Sequence, residues 1–373
     1  MNSVFKKIMA AVLVVAMLAA SAVMLGSCGG DEGAKAFVVG ATGPLTGDAA
    51  SYGISVQNGA KLAIKHINAK GGIQFTLNMK DDQATADEAA ANYDILYDAG
   101  MQVSLGGVTS GSGEAFAKKA NVDKIFCMTP SGSADPVIKD MKYSFRLCFG
   151  DPDQGALAAQ EIKNANYASV GAIYDTSDSY SKGIYDAFAA EMEALGLDYA
   201  LATFDAENKT DFTTQAGQLA DCDVIFMPFY YTEASLFIKK AVDADSDAVF
   251  FGCDGFDGIA SYIEGVENKV MYITPFDVNA TDAETKAFVD AYVAEYGVKP
   301  DQFAADAYDV MMVIAAAMNK AGVTDYAISG AELGDILVNT ITADDFSYNG
   351  LTGNMTWDES GACTKEPNIV EFN

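Results

Sequence analysis

The sequence predicts an α/β protein with two open parallel sheets, each flanked by helices. Short apolar runs of strand length alternate with helical segments along nearly the whole chain, the pattern expected of parallel sheets covered by helices. The 373 residues suffice for two domains, and a hydrophobic content of 50% supports well-filled cores. Loops with binding character fall into two groups rather than a ring, which favours two open sheets over a closed β/α barrel.

The N-terminal segment predicts export. Lys6 and Lys7 precede an apolar run over residues 8–25, and small residues follow up to Cys28. A basic start, an apolar stretch and small residues before a cleavage point are typical of a secretory signal. An uncleaved membrane helix is the alternative, but the run is barely long enough to span a bilayer. Residues 1–27 are therefore predicted to be a signal peptide, and residues 28–36 a short tether.

The charge balance excludes one class of partner. Removal of the signal peptide takes away two of the 23 basic residues and none of the 52 acids, which leaves 21 basic residues and a net charge of −31. Nucleic-acid binding depends on Lys and Arg neutralising phosphates. The sequence therefore predicts that this protein does not bind nucleic acid.

The periodicity of apolar residues predicts the individual elements. Strands are predicted over residues 37–40, 75–79, 103–105, 124–128, 143–148, 169–174, 199–204, 224–227, 248–252, 270–274, 353–357 and 368–372. Helices are predicted over residues 55–69, 86–99, 114–120, 152–164, 181–195, 212–220, 233–244, 283–296, 303–321 and 331–341.

The stretch from residue 103 to residue 136 carries the strongest binding signal. Its two strands end in loops of small and hydroxyl residues, at 109–113 and at 129–133. Because parallel strands end at one edge of a sheet, both loops are expected where open α/β sheets bind ligands. Hydroxyls and free amides at the start of a helix suit a small carboxylate. Ordinary strand-to-helix turns are the alternative for each loop.

Cysteine spacing offers no metal or redox motif. Cys127, Cys148, Cys222 and Cys253 lie in or at the end of predicted strands, and Cys363 lies in the tail. None forms a C-x-x-C pair, which leaves zinc and thioredoxin-type chemistry without support. Buried free thiols are expected at the four strand positions, although export would allow disulfides.

Catalytic machinery is also missing from the sequence. His66 is the only histidine, and it lies in the middle of a predicted helix. The segment 107–111 imitates a nucleophile elbow with Thr109, but no later histidine could activate it. Neither a Walker A motif nor G-x-G-x-x-G is present. The sequence therefore predicts a protein that is not an enzyme and has neither a cofactor nor a metal site.

Short motifs in a fixed order carry a family resemblance. They include Gly43-Pro44-Leu45-Thr46-Gly47, Asp81-Asp82-Gln83, Thr109-Ser110-Gly111-Ser112, Thr129-Pro130-Ser131, Phe145-Arg146, Asp153-Gln154-Gly155, Tyr180-Ser181-Lys182-Gly183, Tyr230-Tyr231-Thr232-Glu233, Gly252-Cys253-Asp254-Gly255 and Gly353-Asn354-Met355-Thr356-Trp357-Asp358. No single motif is specific, but their order and spacing together are. The sequence resembles the branched-chain amino-acid-binding (Leu/Ile/Val-binding) proteins of ABC importers, which are type I periplasmic-type solute-binding proteins.

The resemblance implies a fold and its division into lobes. Two Rossmann-like lobes with open parallel sheets, joined by three hinge crossings, would close on a ligand like a flytrap. Residues 37–147 and 276–347 would form lobe one, and residues 148–275 and 348–373 lobe two.

A second resemblance concerns the cleavage point. Leu25-Gly26-Ser27-Cys28 is similar to the lipobox of bacterial lipoproteins, which implies a lipid on Cys28. The protein would then be extracytoplasmic and anchored to the cell membrane, and its partner would be the permease of an ABC importer. A monomer is expected.

The family also implies roles for residues in the predicted cleft. The α-carboxylate of the ligand would be held by Ser110 and by the loop of Gly132 and Ser133, where family members usually have Ala-Thr. The ammonium would be held by Asp254, where some members have Glu.

Tyrosines complete the implied site. Tyr180 and either Tyr230 or Tyr231 would close over the ligand from lobe two, and Tyr52 would line the pocket from lobe one. Surface or core packing is the alternative for each of them, because the chain has 18 tyrosines.

The predicted function is capture of a small amino acid, branched-chain or otherwise aliphatic, without chemistry. The alternative is a binding protein or sensor of the same fold for another small polar ligand, such as an amide, a urea-like compound or an aromatic acid. A third hypothesis, an extracytoplasmic hydrolase, lacks a general base.

Overall fold

The computed structural model describes residues 35–365 and 367–372. The predicted signal peptide and Cys28 lie outside these residues. Within the described ranges, no helix has the length and apolarity needed to cross a bilayer.

Five parallel strands form the first sheet. They are β1 (Phe37–Gly43), β2 (Phe75–Asp81), β3 (Val103–Gly106), β4 (Cys127–Thr129) and β5 (Ser144–Arg146). Their order across the sheet is β2-β1-β3-β4-β5, and each neighbouring pair is parallel. The pairing of β3 with β4 brings the ends of these two strands to the same edge.

The second sheet uses the middle of the chain and its tail. Its strands are β6 (Val170–Asp175), β7 (Ala200–Phe204), β8 (Val224–Met227), β9 (Val249–Gly252) and β10 (Val270–Thr274), and a small hairpin follows with β11 (Tyr348–Gly350) and β12 (Gly353–Met355), before β13 (Asn368–Phe372). The order is β13-β10-β9-β8-β6-β7, in which β13 runs antiparallel at one edge.

Helices separate the strands in both lobes. They are α1 (Ala50–Lys70), α2 (Ala86–Asp98), α3 (Ser110–Asp123), α4 (Asp151–Ala165), α5 (Ser179–Leu195), α6 (Thr213–Gln218), α7 (Tyr231–Asp243), α8 (Ala283–Tyr296), α9 (Gln302–Lys320) and α10 (Gly330–Ile341). Short 3-10 turns occur at Asp135–Val137, Asp254–Phe256 and Ile259–Tyr262.

Four predicted helix starts were at least two residues too late, and all four affect the site. Helix α1 begins at Ala50 rather than residue 55, and α5 begins at Ser179 rather than residue 181, so that Tyr52 and Tyr180 lie within helices. Helix α3 begins at Ser110 rather than residue 114, and α7 begins at Tyr231 rather than residue 233. The small residues after Thr109 resemble a loop in sequence, but they form the first helical turn, which is closed by the Gly113 amide donating to the Thr109 carbonyl at 2.7 Å. Helices α3 and α7 therefore start closer to the cleft than predicted.

The chain crosses between the two lobes three times, as predicted. It leaves the first sheet after β5, returns after β10 to helices that pack on lobe one, and passes through the β11–β12 hairpin to β13. Among the returning helices, α9 packs on α1 so closely that a Cβ on Gly59 would lie 2.0 Å from the Ala304 carbonyl oxygen. The predicted fold class is confirmed.

The five cysteines within the described residues are free. Cys127, Cys148, Cys253 and Cys363 are buried. Cys222 is only partly buried, contrary to the prediction, because it lies in the turn between α6 and β8 rather than within a strand.

Candidate functional site

Two neighbouring strand ends build one wall of the site in lobe one. The hydroxyl of Ser131, after β4, donates to the Val108 carbonyl at 2.7 Å, and the amide of Ala134 donates to Ser110 Oγ at 3.2 Å. The two loops after β3 and β4 are thus joined by hydrogen bonds, as their positions in sequence predicted.

A small cavity lies between this wall and lobe two. Its lining residues are Tyr52, Val108, Thr109, Ser110, Ser131, Tyr180, Tyr230, Asp254, Gly255 and Phe303.

The structure brings five of the predicted site residues to this cavity. Ser110 and Tyr52 come from lobe one, and Tyr180, Tyr230 and Asp254 come from lobe two. Of the two adjacent tyrosines, Tyr230 lines the cavity.

Tyr231 does not line the cavity. It is the first residue of α7, and its hydroxyl donates instead to the Asp48 carbonyl at 2.8 Å. Successive side chains at a helix start point in different directions, so Tyr230 and Tyr231 do not both face the cavity.

Gly132 and Ser133 also lie outside the cavity lining, in contrast to the prediction. The Ser133 side chain is fully buried, and its carbonyl accepts from the Asp151 amide at 3.1 Å and from Arg146 Nη1 at 2.8 Å. These contacts hold the end of the loop against the first interlobe crossing, so that Ser131, two residues earlier, reaches the cavity.

Thr109 is a lining residue that the sequence reasoning did not assign. It occupies the N-cap position of α3, yet its hydroxyl makes no capping bond and has no hydrogen-bond partner within the described residues. Its side chain is only 7% exposed, and a buried hydroxyl without a partner is costly. The sequence feature that could have identified Thr109 is its position at a strand-to-helix junction, because N-cap residues commonly carry hydroxyls.

Phe303 is another lining residue that the sequence did not indicate. It belongs to α9, almost two hundred residues after the loops it faces, and it packs against Tyr52 with ring centroids 4.5 Å apart. Its apolar helical position gives no local signal that separates it from a core residue.

Asp254 lies on the lobe-two side of the cavity, where hydrogen bonds fix both its carboxylate and its backbone. Its carboxylate accepts from the Tyr180 hydroxyl at 2.6 Å, and its amide donates to Gln154 Oε1 at 3.0 Å. The Gly255 amide donates to the same tyrosine hydroxyl at 2.9 Å, and a Cβ on Gly255 would approach that oxygen to 2.8 Å. Burial raises the pKa of Asp254 to about 6, so the carboxylate is mainly ionised at neutral pH.

Metal and acid–base chemistry find no support at this site. Among the residues that the structure describes, no cluster of three or more His, Cys, Asp or Glu side chains could hold a metal ion. His66 lies on α1, where its Nδ1 is 2.9 Å from the Tyr308 hydroxyl. This contact is a packing interaction of lobe one, outside the cavity lining.

Comparison with known proteins gives relatives over most of the chain. The Leu/Ile/Val-binding protein BraC3 of Rhizobium johnstonii is 27% identical over 339 residues, which cover 88% of this chain and 89% of that protein. The leucine-, isoleucine-, valine-, threonine-, and alanine-binding protein of Pseudomonas aeruginosa is 27% identical over 328 residues, which cover 86% of this chain and 85% of that protein.

A solved structure shares the fold. The branched-chain amino acid transporter substrate binding protein LivJ from Streptococcus pneumoniae, in complex with isoleucine, superimposes with a TM-score of 0.76 at 28% identity. The alignment covers 90% of this chain and 100% of that one.

The model of the periplasmic binding protein family matches residues 37–363. This range contains both sheets except the edge strand β13, and it contains every residue that lines the cavity. The chain therefore belongs to the periplasmic binding protein family.

Proposed function

We propose that this protein is the extracytoplasmic binding component of an ABC importer and captures a small zwitterionic amino acid, branched-chain or otherwise aliphatic. The observation that carries the proposal is one cavity with a helix N-terminus and hydroxyls on its lobe-one side and a buried carboxylate, Asp254, on its lobe-two side. An amino acid presents the opposite charges at the same two ends.

The carboxylate of the ligand binds at the start of α3. The first amides of a helix lack intrahelical partners and lie at the positive end of its dipole. Thr109 contributes a hydroxyl that has no hydrogen-bond partner within the described residues, and Ser110, whose Oγ accepts from the Ala134 amide, keeps its hydroxyl proton for the ligand. The Ser131 hydroxyl already donates to the Val108 carbonyl. We therefore assign Thr109 and Ser110 to the carboxylate in place of Gly132 and Ser133.

The ammonium of the ligand binds at Asp254. A charge-assisted hydrogen bond from an ammonium to a carboxylate is stronger than one between neutral groups. Tyr52, Tyr180 and Tyr230 enclose this end of the cavity, and burial raises the pKa of each of them, so they stay neutral. This arrangement binds and shields a ligand, and no histidine lines the cavity to activate its hydroxyls.

The relatives support an amino acid as the ligand. The names of both sequence relatives include leucine, isoleucine and valine, one of them adds threonine and alanine, and the solved neighbour contains isoleucine. Aliphatic side chains also suit the apolar part of the lining, which consists of Val108, Phe303 and the tyrosine rings.

The cellular arrangement is part of the proposal. Cleavage before Cys28 and a lipid on its sulfur would hold the protein at the outer face of the cell membrane as a monomer. Closure of the two lobes, with boundaries at residues 147/148, 275/276 and 347/348, would present the loaded form to a permease. Cys28→Ser should release the protein from the membrane fraction, and unchanged retention would point to an uncleaved helix.

Asp254→Asn tests the ligand assignment. Leucine, isoleucine and valine are expected to raise the melting temperature of the wild-type protein, because a ligand bound by the folded state stabilises it by mass action. In the variant, calorimetry should show a loss of about 2–5 kcal/mol in binding free energy, the range for truncating one partner of a buried charge pair.

The matched control is Asp247→Asn, at an exposed acid of the same lobe. It should bind these amino acids as tightly as the wild type. If Asp254→Asn also binds them with unchanged affinity, the ammonium assignment is wrong. If an amide or an aromatic acid is the only type of ligand that stabilises the protein, the amino-acid proposal is wrong.

A further inference from the structure

Aromatic residues make up four of the ten that line the cavity. Tyr52, Tyr180, Tyr230 and Phe303 all line it, and we refer to these four residues as the aromatic wall. Ring centroids lie 4.5 Å apart for Phe303 and Tyr52, 5.7 Å for Tyr52 and Tyr230, and 4.9 Å for Tyr230 and Tyr180. The rings therefore form one continuous surface beside Asp254.

Two of the tyrosine hydroxyls are already occupied by protein partners. The Tyr52 hydroxyl donates to the Gly255 carbonyl at 2.5 Å and accepts from the Tyr231 amide at 3.2 Å. The Tyr180 hydroxyl donates to Asp254 Oδ1 and accepts from the Gly255 amide. A phenol has one proton to donate, so these residues offer a ligand their rings rather than their hydroxyl protons.

Buried negative charge lies next to the aromatic wall. Asp254 is 4% exposed and lines the cavity with these rings. Asp151, at the start of α4, is also buried, but burial raises the pKa of its carboxyl well above the usual range, which favours the neutral form. The negative charge beside the aromatic wall is therefore that of Asp254. Aromatic rings together with a buried carboxylate attract a cation whether or not it carries N–H groups.

We propose that this cavity accepts N-methylated amino acids, including betaines with a quaternary ammonium, as well as primary amino acids. The proposal rests on the proposed function, because the carboxylate of such a ligand still binds at the start of α3. Aromatic faces within about 6 Å of a cation attract it through their quadrupole, the mode by which quaternary ammonium ligands are recognised. A pocket that held the ammonium only through N–H bonds would lose one bond with each added methyl group.

Valine and N,N,N-trimethylglycine test the proposal because they are isomers. Both have the same atoms, but only trimethylglycine has a quaternary ammonium. Calorimetry on the full mature chain should place the affinity for trimethylglycine within about tenfold of that for valine, since cation–π contacts compensate for lost N–H bonds. Isovaleric acid, which has the valine skeleton without nitrogen, should bind far more weakly than either.

The outcomes separate the two proposals. If valine binds and trimethylglycine binds more than about a hundredfold more weakly, a difference of about 2.7 kcal/mol, the present inference is overturned and the proposed function stands. If neither ligand binds, both proposals are contradicted.

Variants of Tyr230 supply a second test that does not depend on one ligand pair. Tyr230→Leu removes an aromatic face and should lower the affinity for trimethylglycine relative to valine by about 3- to 30-fold, the range of one cation–π contact. Tyr230→Phe keeps the ring and should preserve that ratio. Tyr97→Leu, at an exposed tyrosine on α2, is the matched control. An unchanged ratio in Tyr230→Leu would overturn the inference.

Discussion

The hydroxyl of Tyr52, on the first helix of lobe one, lies 2.5 Å from the carbonyl oxygen of Gly255 in lobe two. The same hydroxyl accepts from the Tyr231 amide, also in lobe two. One side chain thus lines the cavity and bridges the lobes, so ligand capture and closure share a residue.

Tyr52→Phe tests this bridge. The ring packing is retained, but the Gly255 carbonyl and the Tyr231 amide lose their partner in the closed form. We expect ligand affinity to fall by about 1–3 kcal/mol, the cost of leaving buried polar groups unpaired. Calorimetry measures the affinity, and small-angle scattering with ligand should show a larger open fraction. Tyr97→Phe is the control, and equal affinity and equal scattering in Tyr52→Phe would refute the bridging role.

Thr109→Val should have opposite effects on binding and on stability. The change removes a buried hydroxyl that has no partner within the described residues, so the ligand-free protein should gain about 1 kcal/mol in unfolding free energy. Binding should weaken by about 1.5–3 kcal/mol, the value of a hydrogen bond to a charged group. Chemical denaturation and calorimetry measure the two effects. Thr109→Ser keeps the hydroxyl and should retain binding, and a loss of stability without a loss of affinity in Thr109→Val would contradict the assignment.

Two acids from opposite lobes predict a pH dependence of stability. Asp301, at the start of α9, accepts from Ser55 Oγ at 2.5 Å and from the Ala304 amide at 2.9 Å, and Asp257 of lobe two accepts from the next amide, Gln302, at 2.7 Å. Burial, and then the charge of Asp257, raises the pKa of Asp301 from 3.8 to about 7. An acid with a higher pKa in the folded state binds a proton on folding, so its contribution to stability is complete below pH 3.8 and is lost as pH rises through about 7.

The melting temperature should therefore fall between about pH 4 and about pH 7. Burial also raises the pKa values of Asp82, Asp178 and Asp254 to about 6, which acts in the same direction. Asp301→Asn should flatten the decline, whereas Asp87→Asn, at an exposed acid on α2, should not. A decline of the same steepness in Asp301→Asn would show that Asp301 does not contribute to it.

The buried side chain of Lys365 should contribute strongly to the stability of the folded protein. Lys365 Nζ donates to Asp306 Oδ1 at 2.9 Å and to Thr352 Oγ1 at 2.7 Å, and its side chain is fully buried. Lys365→Met leaves the Asp306 carboxylate without a counter-charge, so we expect the free energy of unfolding to fall by about 3–5 kcal/mol. Lys118→Met, at an exposed lysine, is the control for the denaturation measurement. Adding Asp306→Asn to Lys365→Met should recover part of the loss, and an unchanged unfolding energy in Lys365→Met would contradict the pairing.

Local sequence information predicted most elements because each strand and helix has its own apolar period. Strands β8, β10 and β13 and helix α8 agree with the predicted limits to the residue. The errors at the start of α3 and of α7 have one cause. Small residues and tyrosines next to a cleft have weak helix preference, and the helix dipole and tertiary contacts decide where the first turn begins.

The sequence by itself determined the fold class and the edge of the sheet where the cavity forms, and the family resemblance pointed to Ser110 and Asp254, which both line that cavity. The tertiary structure alone decided that Tyr230 rather than Tyr231 lines the cavity, that Ser131 rather than Ser133 lines it, and that Phe303 completes the aromatic wall. These choices depend on the direction of a side chain at the end of an element and on contacts between residues far apart in the chain. Neither quantity leaves a periodic signal in the sequence, because periodicity reports which face of an element is buried and not what buries it.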